Sequence, residues 1–133
     1  MKNLLYIFLC LEFLTSCGTT LPHQSETGSL SFEKNEEDEY DIIVLDPQYE
    51  SFLARIARPM HFYSENYYKS KNRIYVNEWN IRHSQPFTYD PDFYALRIDY
   101  DPNMDYGILL EYKLYNFFEF IKWKYKVDLN FSR

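Results

Sequence analysis

The chain has 133 residues, room for one domain and little more. Twenty acidic residues against 14 Lys plus Arg give a formal net charge of −6. That balance argues against nucleic acid as a partner and against a purely electrostatic hold on anionic lipid, since both need clustered positive charge. Fourteen Tyr, 11 Phe and 2 Trp let even a small domain bury a large apolar area, and 3 Gly without an internal repeat argue against a loop-dominated or repeat fold.

At the N-terminus, Lys2 precedes an apolar run from Leu4 to Leu14, eleven residues long and too short to span a bilayer. Glu12 interrupts the run. Leu14-Thr15-Ser16-Cys17 then resembles a bacterial lipobox, with an aliphatic residue, two small ones and a cysteine. The motif implies a signal peptide over 1–16, cleavage before Cys17 and acylation of its sulfur. Cys10, preceded by the bulky Phe8-Leu9, leaves with the signal, so the mature chain keeps neither a free thiol nor a disulfide. Each buried acyl CH₂ contributes roughly 0.8 kcal/mol, and two or three chains make such an anchor effectively permanent.

Cys17 and the residues after it to position 39 show no regular period, moving from Ser, Thr, Gly and Pro to an acidic run at Glu33–Glu39. They read as an acylated cysteine followed by a disordered, solvated tether. Gly18 stands directly after the cysteine, and the first acid is Glu26. By analogy with lipoprotein sorting, this places the protein in the cell envelope, lipid-anchored at the outer membrane and facing the periplasm.

A single domain is expected over 40–133. "YDIIVL" at Tyr40–Leu45 reads as a short strand buried on both faces. Asp46 and Pro47 supply an N-cap and a first helical residue, and Tyr49, Phe52, Leu53 and Ile56 recur on one face of the helix that follows, which Pro59 ends. Ser64 caps "ENYYKSKNRIYVNEWNIRHS", one long or two short helices with Tyr68, Tyr75, Val76, Trp79 and His83 near one face. "FYALRIDY" alternates Tyr94, Leu96, Ile98 and Tyr100 against Ala95, Arg97 and Asp99, which predicts a half-buried strand. Asp105 is positioned to cap a last helix over about 106–126. Its core face would carry Leu110, Leu114, Phe117, Phe118, Ile121 and Tyr125, with Glu111, Tyr115, Glu119, Lys122 and Lys126 on a polar arc. The sum is α+β: a small two- or three-stranded sheet packed with three or four helices around an aromatic-rich core.

No catalytic residue is assigned. Glu78 and Arg82 form an i,i+4 pair whose simplest reading is a surface ion pair. A remote alternative, a hydrolase using Glu78 and His83, lacks a nucleophile and an oxyanion donor at recognisable spacing. His23, His61 and His83 with no HExxH give no zinc site. Asp99, Asp101, Asn103 and Asp105 alternate as in a calcium loop, but Gly107 and Leu110 occupy the wrong places, so neither metal nor cofactor is expected.

Thirteen of the 14 tyrosines follow the signal, many for a core in which each hydroxyl needs a partner. Tyr63, Tyr67, Tyr112 and Trp123 are therefore expected at the surface, and Trp79, Arg82, Tyr112 and Trp123 are the candidate binding surface. Exposed Tyr and Trp suit an envelope protein or a sugar.

With "YDIIVLDPQYESFLARIARP", "NRIYVNEWNIRHSQP" and "IDYDPNMDYGILLEYKLYNFFEF" read in order, residues 40–126 resemble a family of short, uncharacterised envelope lipoproteins of Gram-negative bacteria. It is a domain of unknown function with the motifs YVxEWNxR and DYxPNxDYG. The resemblance implies no activity, cofactor or partner. His83 stands where the family pattern has an apolar residue, so no catalytic role for it is implied. The expected function is a lipid-anchored, non-catalytic interaction or structural module, or else a glycan- or peptidoglycan-binding module using exposed Tyr and Trp.

Overall fold

A computed structural model describes residues 30–34, 36, 37 and 39–130. The expected signal peptide, Cys17 and the first part of the expected tether lie outside the described residues.

Leu30 and Phe32 alternate with Ser31 and Glu33, and this short period-two run forms β1 (Leu30–Lys34). It pairs antiparallel with β2 (Tyr40–Val44), Leu30 opposite Val44 and Phe32 opposite Ile42. The folded part thus includes Leu30–Lys34, ahead of the expected start at Tyr40. The acidic residues that suggested a tether up to 39 cover the solvent side and the turn of a hairpin, whose other side packs Leu30, Phe32, Tyr40 and Val44 against the core. β2 is not buried on both faces as expected: Ile42 is inside, while Ile43 and Leu45 are exposed. Two strands cannot cover both of their own faces.

Asp46 caps α1 (Pro47–Arg55), accepting the Gln48 N–H at 3.0 Å. Tyr49 and Phe52 are buried and Leu53 is half-buried, but Ile56 lies past the helix end and is exposed. A 3-10 turn at Met60–Phe62 follows. Ser64 accepts the Tyr67 N–H and starts α2 (Glu65–His83), a single unbroken helix.

"FYALRIDY" does not form a strand. Its alternation survives in part, with Tyr94, Ile98 and Tyr100 buried, but Leu96 faces solvent. Side chains of α2 replace a neighbouring strand: Asn80 donates to the Ile98 carbonyl and accepts the Ile98 N–H, both at 2.9 Å, and the Trp79 indole N–H donates to the Leu96 carbonyl at 2.8 Å. Backbone groups need partners, and here a helix supplies them.

Gly107, at φ 81°, is the N-cap of α3 (Ile108–Tyr125), in place of the expected Asp105. That conformation is one side chains rarely adopt. α3 is the axis of the domain and packs against β2, α1, α2 and the 3-10 turn. Its buried arc is accordingly wider than the periodicity suggests. Phe120, Asn116 and Glu111 join Leu110, Leu114, Phe117, Phe118 and Ile121 inside. The fold is α+β, a two-stranded antiparallel sheet with three helices around an aromatic cluster.

Candidate functional site

The tyrosine surplus has a structural use over much of the domain. Tyr49 donates to the Lys113 carbonyl at 2.6 Å, Tyr68 to Met60, Tyr112 to Arg58, and Tyr75 to the Glu119 carboxylate at 3.0 Å. Each ring fills the core or its rim, while its hydroxyl ties a loop or a neighbouring helix to the body.

The proposed binding residues divide. Trp79 is 1% exposed, with Tyr94, Phe117 and Phe93 ring centroids 4.9, 5.6 and 5.9 Å away, so it is a core residue and not a binding surface. Its position on α2 faces α3, and tertiary packing closes over it. Arg82 is also committed. Its guanidinium donates to Glu78 at 2.7 Å, to the Tyr94 hydroxyl at 3.0 Å and to the Asp128 carbonyl at 2.9 Å, and it lies over the Tyr89 ring. This fork joins α2, the 89–94 loop and the C-terminal segment. The Glu78–Arg82 pair is therefore a largely buried clamp instead of the expected surface pair, with side chains 10% and 16% exposed. His83 bonds the Tyr94 carbonyl through Nδ1 at 2.7 Å. Tyr112 is half-buried. Trp123 alone of the four is well exposed, at 43%.

Two further polar clusters centre on buried carboxylates. Asp46 accepts from Lys124 and Tyr125, fastening the start of α1 to the end of α3. Burial raises the Asp46 pKa, but the hydrogen bonds from Lys124 and the Gln48 N–H, with the Lys124 charge, outweigh it and hold it below the usual carboxylate value. Glu111, placed on the polar arc by periodicity, is fully buried. It accepts from Asn72 at 2.7 Å and from Tyr100 at 3.0 Å. Burial raises its pKa, and the Asn72 and Tyr100 hydrogen bonds offset this only in part.

Trp123 stands at the wall of a groove of about 350 Å³ between the end of α1, the start of α2 and α3. Phe52, Ile56 and Ala57 line one end, Tyr63, Tyr68 and Tyr115 the other, and Asn116, Glu119, Lys122 and Arg58 supply polar groups. Phe52 holds the indole with ring centroids 5.6 Å apart, and Tyr63 stacks on Tyr67 at 4.2 Å. The Tyr115 phenol is pushed well up by burial and by the Glu119 charge, so it stays protonated. Tyr63 and Trp123 are thus brought to one site, with Tyr67 stacked behind. Tyr112 is one helical turn from Asn116 but spends its hydroxyl on Arg58. Reading Asn116, Glu119 and Trp123 as an i, i+3, i+7 stripe finds part of the α3 wall of this groove.

Two other hollows, beside Gly107 and beside Arg73, are lined by fewer aromatics. Among the described residues, no group of three or more His, Cys, Asp or Glu could hold a metal ion, and no helix is long and apolar enough to cross a membrane. Asp101 makes a turn, accepting the Asn103 N–H at 2.9 Å.

Fold and groove together define a small α+β domain with an aromatic-walled surface site. The chain belongs to the Family of unknown function (DUF6146), which it matches over residues 4–132. No curated protein and no solved structure matches it.

Proposed function

We propose that this protein is a lipid-anchored, non-catalytic binding module of the cell envelope, held by acylated Cys17 at the outer membrane and facing the periplasm, with the Trp123 groove as its binding surface. The observation that carries the reading is the groove itself. An exposed indole, held in place by Phe52, shares it with carboxamide, carboxylate and cationic side chains. The absence of a catalytic motif in the sequence supports a non-catalytic role, as does the commitment of Glu78 and His83 to Arg82 and the Tyr94 carbonyl. With β1 starting at Leu30, twelve residues separate it from Cys17, a span of at most roughly 47 Å when fully extended. The domain would then work close to the membrane that anchors it.

The test has two arms. Cys17→Ser should abolish acyl labelling and move the protein out of the membrane fraction or leave an uncleaved precursor; acyl label that persists would refute the anchor. In-cell photocrosslinking from position 123 should yield envelope adducts that crosslinking from exposed position 87, far from the groove's lining residues in sequence, does not. Equal adduct patterns would remove the groove from the reading.

A further inference from the structure

We propose that the groove takes an N-acetylated amino-sugar chain. This rests on the reading of the groove as the binding surface and names what it binds.

The groove asks for three things at once. Its wall offers an aromatic face, Trp123, fixed by Phe52 and so costing little entropy to present. A flat ligand face of C–H bonds fits against it. Its floor asks for hydrogen-bond donors. Asn116 is 3% exposed and its amide nitrogen is already given to the Tyr112 carbonyl at 2.8 Å, while none of the described residues donates to its Oδ1. Glu119 accepts the Tyr75 hydroxyl with one oxygen only. A carboxamide oxygen at the wall of an open groove can accept a donor from a ligand. The rim, in turn, offers donors to the ligand in Arg58 and Lys122.

A ligand meeting all three carries hydroxyls that both donate and accept, together with an apolar ring face, and little net charge. A strongly anionic ligand would meet Glu119, and a strongly cationic one would meet Arg58 and Lys122. Sugars fit this description. The N-acetyl group follows from the apolar end of the groove, where exposed Ile56 and half-buried Ala57 lie beside Phe52. An acetamide there sets its methyl on these side chains while its N–H is free to reach the floor acceptors. The volume of about 350 Å³ is at the small end for ligand sites, which suits one or two sugar rings of a longer chain.

The two tryptophans give a built-in readout. Trp79 is 1% exposed and remote from solvent, so a ligand-induced change in indole emission reports Trp123. Full-length protein in a polyoxyethylene detergent, which has no sugar headgroup, is titrated with chitotetraose and with cellotetraose, which lacks the acetamides. Calorimetry follows in parallel. Chitotetraose should blue-shift the emission saturably, with cellotetraose at least tenfold weaker. Trp123→Phe should lose the optical signal but keep calorimetric binding within about threefold, and Trp123→Ala should weaken it at least tenfold. Equal affinity for the two tetrasaccharides would overturn the N-acetyl assignment. No binding of either, with the position-123 crosslinks intact, would overturn the sugar and leave the binding-module reading standing. Loss of both would overturn both.

Discussion

Trp79 and Trp123 lie on adjacent helices and could hardly differ more in circumstance. Around Trp79, every strong polar group is answered: its indole by Leu96, Arg82 by Glu78, Tyr94 and Asp128, and His83 by Tyr94. Around Trp123, the indole stays at the surface, and neither the Asn116 carboxamide oxygen nor the second Glu119 oxygen receives a donor from the described residues. One face is closed by its own side chains and the other stays open at the surface. The same residue types thus serve stability on one side and are available for recognition on the other.

The sharpest way to break this contrast is to truncate both tryptophans. Trp79→Ala should cost about 3–5 kcal/mol, the range for deleting a large core aromatic, and shift the denaturant midpoint accordingly. A loss below about 1 kcal/mol would mean that the closed face is not closed. Next in size, Arg82→Lys should cost about 2 kcal/mol, because an ammonium cannot reproduce a fork shared among Glu78, Tyr94 and Asp128. Stability equal to wild type would show that charge alone suffices there.

Two of the buried carboxylates, Asp46 and Glu111, sharpen the comparison through opposite pH dependences. Asp46 has a lowered folded-state pKa, so its contribution is present above the ordinary aspartate value and is lost as pH falls through the lowered one. Asp46→Asn, which keeps a good N-cap, should flatten the acid limb of the stability curve. Glu111 has a raised folded-state pKa, so its contribution is present below the ordinary glutamate value and fades as pH rises through the raised one. Glu111→Gln should therefore gain on wild type as pH rises from the ordinary glutamate value through the raised one. Equilibrium unfolding from below the lowered Asp46 value to above the raised Glu111 value checks both, and parallel curves for variant and wild type would contradict them. The smallest effect belongs to the open face. Trp123→Ala should change stability by no more than about 1 kcal/mol, as expected for a half-exposed side chain.

How much of this was legible follows the range of the interactions. The Asp46-Pro47 and Ser64 helix starts are local, and both appear where the sequence places them. The groove was half legible: Tyr63 and Trp123 stand out as surplus aromatics, whereas Asn116 and Glu119 pass for ordinary polar helix residues. Trp79 and Arg82 were misplaced because periodicity assigns a face but not what packs on it.

By itself, the sequence determined the α+β class, the helices and the aromatic nature of the core, because caps and apolar periods act within a few residues of one another. Tertiary structure decided the rest. β1 exists because β2 pairs with it, the 93–100 segment is not a strand because Asn80 and Trp79 satisfy its backbone, and Glu111 is buried because Asn72 and Tyr100 meet it there. The 93–100 segment and Glu111 depend on partners brought in by other elements, whose arrival no local pattern encodes.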